Sequence, residues 1–327
     1  MPTKMLTVKD AILEALFEEM ARDDRVCVIG EDVGAAGGVF GQTKGLFNKF
    51  GADRVVDTPI SESAIFGMTV GAAMAGLRPV VEVMFGDFIT LVMDQLVNQA
   101  AKIHYMSAGG FRVPLVLRTA VGVGGNLGPQ HSQSFHAWIA HVPGLKVVMP
   151  QSPADAKGLF KSAVRDDNPV VFIEDRTTYN LKGPVPDDDT VVPIGRATIV
   201  REGRDVTIVA VSRMVRQAMA AAEALAADGI EAEIIDPRTI APLDSETILA
   251  SVRKTSRALV LDAGHLDYGI TGEIAATIAE KGFDYLDAPV MRLGGPVVPI
   301  PCNTALEPLV VPSDTQVIAK VRALMNA

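Results

Sequence analysis

Two hydrophobic periods alternate along the chain. Short apolar runs, the mark of strands buried on both faces, are separated by stretches whose apolar residues return every three or four positions. In the first half, Val26-Cys-Val-Ile29, Val80-Val-Glu-Val-Met84, Val113-Pro-Leu-Val-Leu-Arg118, Leu145-Lys-Val-Val148 and Val170-Val-Phe-Ile173 predict strands. Between them, Thr7 caps a helix with Asp10 in its first turn and Ile12, Leu13, Leu16 and Met20 on one face. Ser152-Pro153 opens another helix, and Phe85-Gly-Asp-Phe88 leads into one that runs to Tyr105. The second half repeats the alternation. Strands are predicted over Val206–Val211, Glu231–Ile235 and Ala258–Leu261, and helices over Val215–Ala227, from Ser245, and over Thr271–Lys281. The turn-rich, polar stretch Lys182–Thr190 predicts the boundary between them. The pattern therefore predicts an α/β protein of two domains, 1–185 and 186–327, each with a mostly parallel sheet.

One stretch stands apart. Arg54-Val-Val-Asp-Thr-Pro-Ile-Ser-Glu-Ser-Ala-Ile-Phe-Gly67 reads as a short strand, a Pro-fixed turn and a helix start. Ser61 is a natural N-cap, which puts Glu62 in the first helical turn. A Glu there commonly just offsets the helix dipole, for roughly 0.3–1 kcal/mol. The residues that follow change the picture. Phe66 to Ala75 has almost no polar face, so the helix is predicted to be buried, with Gly76 ending it. A carboxylate at the mouth of a buried helix is desolvated and needs a partner. Gly67, Gly71 and Ala75 share one stripe and predict a tight helix crossing, between subunits if not within one.

Two glycine-rich loops follow strand ends. Gly30-Glu-Asp-Val-Gly-Ala-Ala-Gly-Gly38 carries Glu31 and Asp32. Val121-Gly-Val-Gly-Gly-Asn-Leu-Gly-Pro-Gln-His131 carries His131 to the usual ligand edge of a parallel sheet. The second loop is not a dinucleotide fingerprint, because Pro129 follows and no helix opens from its last glycine. His104, His136 and His141 fall in helical contexts and read as packing or surface residues. Asp236-Pro-Arg-Thr239 and Asp262-Ala-Gly-His265 lie at strand ends, where they could face a ligand, though capping the following helices is the favoured reading.

Composition narrows the partners. With 327 residues, 48% of them hydrophobic, the chain can build two cores. A net charge of −9 argues against nucleic acid or an anionic membrane as a partner. Two distant cysteines, Cys27 and Cys302, suit a reducing cytosol, and neither a signal peptide nor a membrane-spanning run is expected. The expected location is cytoplasmic.

Seven motifs recur in family order: Gly30-Glu-Asp-Val-Gly34, Asp57-Thr-Pro-Ile-Ser-Glu62, Gly76-Leu-Arg-Pro-Val80, His131-Ser-Gln133, Pro143-Gly-Leu-Lys-Val-Val148, Asp155-Ala-Lys-Gly158 and Phe283-Asp-Tyr-Leu-Asp-Ala-Pro289. With them the chain resembles the beta subunit of the thiamine-diphosphate-dependent first component of 2-oxo acid dehydrogenase complexes, a group that includes pyruvate, branched-chain 2-oxo acid and acetoin dehydrogenases. The resemblance implies a pyrimidine-binding domain followed by a transketolase C-terminal-like domain. It also implies that Glu62 hydrogen-bonds the aminopyrimidine ring nitrogen of thiamine diphosphate, with a carboxyl pKa raised by its apolar surroundings. Ile60 and Phe88 match residues that wall the pyrimidine. Glu31 matches a second carboxylate on a proton path between paired sites, and His131 matches a histidine near the substrate and the lipoyl arm. Asp166 matches a side-chain ligand of a monovalent cation, such as K+, in some members.

The resemblance also implies a division of labour. The family's diphosphate motif is Gly-Asp-Gly, and Gly86-Asp87-Phe88 lacks its last glycine. The chain is thus expected to carry half a site. An alpha subunit would supply the Mg2+ and diphosphate contacts in an α2β2 heterotetramer, and a lipoyl-bearing dihydrolipoyl acyltransferase core would accept the acyl group. The implied activity is pyruvate-type oxidative decarboxylation, with acetoin cleavage as the alternative. A non-catalytic assembly subunit fits less well, because an unused buried carboxylate costs stability. Half of a split transketolase would need a phosphate-reading basic cluster, for which Arg118 and Arg238 are the isolated candidates.

Overall fold

Apolar runs bounded by turns pair as parallel strands wherever helices can cover both faces. The computed structural model, which describes residues 3–327, shows this arrangement twice. One unit runs to Val121 and resumes over Trp138–Ile194; the other comprises Gly122–Ala137 and Gly195–Ala327. The divide at Ile194 lies a few residues beyond the boundary expected from composition. Lys182–Pro186, read as part of a polar linker, forms a strand instead. It pairs antiparallel with Thr3–Thr7, because a short edge strand tolerates proline and polar side chains.

In the first unit, six parallel strands lie side by side in the order Lys146–Val148, Val170–Asp175, Val116–Val121, Arg78–Phe85, Val26–Gly30, Val55–Asp57. Helices Val8–Arg22 and Pro153–Arg165 pack on one face, burying Ile12, Leu16, Met20, Leu159 and Phe160 against Val26, Val28, Val80 and Phe172. Both helices start as their caps predict. Thr7 Oγ1 accepts from the Asp10 amide and Ser152 Oγ from the Asp155 amide, each at 3.1 Å.

Helix Glu62–Met74 departs from expectation in two ways. It buries Ile65, Phe66, Val70 and Ala73 but leaves Gly67, Met68 and Gly71 exposed, because this chain offers only one neighbouring surface. Ser61 precedes it without a side-chain cap bond; its hydroxyl donates to the Pro59 carbonyl at 3.2 Å instead. The segment after Phe85 is not one helix but a 3₁₀ run over Gly86–Val92, a π turn over Asp94–Ala100 and a short α turn over Ile103–Met106.

The second unit has a five-stranded sheet in the order Met291–Gly295, Ala258–His265, Val206–Ala210, Ala232–Asp236, Thr198–Arg201, with only the last strand antiparallel. Met214, Ala218, Ala222 and Leu225 of helix Met214–Ala227 pack with Val317, Val321 and Leu324 of helix Asp314–Met325 over Ile208, Ile234 and Leu259.

Three central strands of the first unit carry charge inside the core. Arg118 donates from Nη1 to Glu82 Oε2 at 2.8 Å, from Nη2 to Glu174 Oε2 at 3.2 Å, and from Nε to Glu174 Oε1. All three side chains are buried. Burial pushes the Glu82 carboxyl up against the lowering effect of Arg118, and Glu174 reinforces that rise. The Arg118 guanidinium stays charged, held by both carboxylates against the same desolvation. A lost cation here would strand two carboxylates in the core. Replacing Arg118 with Met should therefore destabilise the chain by about 3–5 kcal/mol in urea unfolding.

Candidate active site

Because the six strands are parallel, their C-terminal ends share one edge, where ligands bind in such sheets. The loops after Val26–Gly30 and Val55–Asp57 meet there. Asp57 Oδ1 accepts the Gly34 amide at 2.7 Å, and Thr58 N–H donates to the Gly30 carbonyl at 3.0 Å. Residue 34 must be glycine for this approach, since a Cβ would stand 2.3 Å from Asp57 Oδ2. The brace brings Glu31 beside Glu62.

Glu31 is buried; Glu62, at the helix start, is half-buried. The Glu31 carboxyl is pushed above the usual carboxylate range, first by burial and then by the charges of Glu62 and Asp32, with a hydrogen bond from the Ser61 amide opposing them. The neighbour of the half-buried Glu62 is thus another carboxylate. Glu31 Oε1 and Thr58 Oγ1 are buried without a hydrogen-bond partner among the described residues.

The walls are apolar. Ile60 stands 83% exposed at the helix entrance, an outward isoleucine beside unpaired polar atoms. Phe88 is half-buried and packs edge-on against Phe85 with ring centroids 5.6 Å apart. Phe85 meets Phe40 at 5.7 Å, and Phe40 meets Tyr179 at 5.5 Å. The buried Tyr179 hydroxyl bonds to Glu174, so the aromatic row reaches back to the Arg118 cluster. A planar heteroaromatic ring with hydrogen-bonding nitrogens fits this mixture of unpaired oxygens and ring faces.

The other expected residues have their own surroundings. His131 is half-buried in the loop that belongs to the second unit. The Asp166 carboxylate is engaged by the Lys146 ammonium and, through Oδ1, by the Asn168 amide at 2.9 Å. Among the described residues, no three His, Cys, Asp or Glu side chains cluster as metal ligands. Arg118 is committed to its glutamates, and Arg238 donates from Nε to the Arg196 carbonyl and from Nη2 to the Ala197 carbonyl. His136, expected as a packing or surface residue, is buried against Asp262, with Nε2 and Oδ2 2.8 Å apart.

Sequence reasoning missed the Arg118 cluster and this His–Asp pair. The signal for the first was present: Glu82 interrupts the apolar run Val80–Met84, and Arg118 ends another. No helix of the described residues is long and apolar enough to cross a membrane.

Residues 4–182 match the family described as transketolase, pyrimidine binding domain, and residues 195–317 match transketolase, C-terminal domain. A solved structure described as a split gene transketolase, inactive beta4 tetramer, has the same fold, with a TM-score of 0.80 at 22% identity over 98% of both chains. Fold and site thus define a transketolase-type chain of two domains.

Full-length similarity narrows this further. The chain is 50% identical to the mitochondrial pyruvate dehydrogenase E1 component subunit beta of Dictyostelium discoideum, over 93% of this chain and 87% of that one. It is 45% identical to the acetoin:2,6-dichlorophenolindophenol oxidoreductase subunit beta of Bacillus subtilis, over 99% and 98%. It is 46% identical to the pyruvate dehydrogenase E1 component subunit beta of Rickettsia felis, over 97% of each chain. The chain belongs to the family of beta subunits of the thiamine-diphosphate-dependent first components of 2-oxo acid dehydrogenases.

The raised Glu31 pKa carries a stability prediction. The folded state holds the Glu31 proton more tightly than the unfolded chain, so ionisation disfavours folding as pH rises past the unfolded carboxyl pKa. Glu31→Gln removes the ionisable group. Its melting temperature relative to the unmodified chain should rise between pH 4 and pH 8, as read by thermal unfolding across about that range.

Proposed function

We propose that this chain is the beta subunit of a pyruvate-type 2-oxo acid dehydrogenase, active with an alpha subunit in an α2β2 heterotetramer. Together they would decarboxylate a 2-oxo acid oxidatively and acylate the lipoyl group of a separate dihydrolipoyl acyltransferase core. The observation that carries this reading is the Glu31–Glu62 pair at the ligand edge, with Ile60 exposed at the helix entrance. Pyruvate dehydrogenase beta subunits among its relatives support the substrate class.

Thiamine diphosphate, when bound, supplies the nucleophilic carbon and the electron sink. The chain's own residues do the rest. Glu62 holds a proton at the aminopyrimidine ring nitrogen. Glu31, its carboxyl pushed above the usual range by burial and by the Glu62 charge, passes protons to and from Glu62. Ile60 and Phe88 hold the ring flat and exclude water. His131 orients the substrate, and the diphosphate and its Mg2+ fall to the alpha subunit. At Asp166, a K+ would have to displace the Lys146 ammonium. The exposed Gly67, Met68 and Gly71 face suits burial in the heterotetramer.

Acetoin is the second reading, supported by the near-complete match to the Bacillus subtilis subunit. A split transketolase is less well supported, because neither Arg118 nor Arg238 offers a free guanidinium at a phosphate-reading cluster. The test is co-expression with an alpha subunit and cofactor-dependent dye reduction with pyruvate, a branched 2-oxo acid and acetoin in parallel. Glu62→Gln should lower turnover by about 10²-fold or more while the complex still assembles. Full turnover in that variant would overturn the role given to Glu62. Failure with all three substrates, in a well-formed complex, would overturn the dehydrogenase reading.

A further inference from the structure

The loop that carries His131 is built almost wholly into the second unit, although it leaves a strand of the first. Five residues of positive φ shape it: Gly122, Gly124, Gly125, Asn126 and Gly128, with φ of 105°, 143°, 84°, 57° and 75°. Such a glycine-rich segment has much freedom to lose, so its place depends on its anchors.

Those anchors sit before and after His131. On the near side, Arg213 Nη1 donates to the Val123 carbonyl at 2.7 Å, and Glu307 Oε1 accepts the Asn126 amide at 2.9 Å. Cys302 Sγ donates to the Asn126 carbonyl at 2.8 Å, and Val123 packs with Ile300 and Val310. On the far side stands His136, five residues after His131. Its Nε2 meets Asp262 Oδ2 at 2.8 Å, and both residues are only 1% exposed.

The pair is shaped on every side. The Ala263 and Gly264 amides also donate to the Asp262 carboxylate. Burial pushes this carboxyl up, but the His136 ring and the two amides outweigh it, so Asp262 remains ionised. Residue 264 has to be glycine, since a Cβ there would stand 2.9 Å from Asp262 Oδ2 and 3.3 Å from His136 Cε1. An ionised carboxylate with three donors, sealed from water, holds its partner in one geometry.

We propose that the His136–Asp262 pair is a positioning device, fixing the far end of the Gly122–Ala137 loop on the second unit and so setting the place from which His131 acts. The catalytic half of this inference rests on the role given to His131 above; the anchoring half does not. His136 is a positioning residue in this scheme, touching neither substrate nor cofactor.

The test uses the assembled complex with its alpha subunit and four variants: His131→Ala, His136→Ala, His136→Gln and the double alanine variant. Hydrogen exchange is read over residues 122–137, with strand Val206–Ala210 as the internal control. In His136→Ala, exchange should rise in the loop and stay unchanged in the control strand. Turnover should fall about 10- to 100-fold, as expected when a reacting group is misplaced. His136→Gln keeps an N–H aimed at Asp262 and should restore most of both. The double variant should be no slower than His131→Ala alone, because both changes remove the same contribution.

Unchanged loop exchange in His136→Ala would overturn the anchoring. Additive losses in the double variant would overturn the link to His131. Full turnover in His131→Ala would overturn the role of His131 itself, and the exchange result would still decide whether the pair holds the loop.

Discussion

The first unit depends on one desolvated cation. Arg118 sits on a central strand with a glutamate on each neighbouring strand, and the three side chains satisfy one another where no water can. Such a cluster adds little net stability over a well-packed apolar core, because desolvation offsets most of the Coulomb attraction. Its effect is on arrangement. Sliding any of the three strands by one residue would turn its charge to the opposite face and leave the partners stranded. The register of the sheet sets where its C-terminal ends lie, and those ends place every residue of the candidate site in this unit.

From that cluster a row of ring contacts extends outward through Tyr179, Phe40 and Phe85 to Phe88. The two carboxylates are forced together by the Gly34–Asp57 brace, and burial raises the pKa of Glu31. The isoleucine at the entrance and one face of the helix behind it are left exposed.

Much of this was legible in the sequence. The strand–helix alternation, the helix caps at Thr7 and Ser152, and the Asp57–Glu62 motif all rest on local rules: period, cap chemistry and proline geometry. The failures were of a different kind. Helix Glu62–Met74 was expected to be buried all round, because apolar composition cannot say whether the covering surface belongs to the same chain. His136 looked ordinary, because its partner lies 126 residues away in the sequence. Lys182–Pro186 looked like linker, because edge strands carry no apolar alternation of their own when they pair with a chain end.

By itself, then, the sequence determined the class of fold, the central strands and most of the long helices of both units, and the carboxylate at the helix start. Each of these follows from interactions between residues close along the chain. Only the tertiary structure decided that Glu62 faces Glu31, that Arg118 is locked between two glutamates, and that the His131 loop is anchored by Asp262. Those pairings join residues far apart in sequence, and a charge's behaviour depends on which other charges share its dry surroundings. No local pattern encodes that company, so it became visible only once the chain was folded.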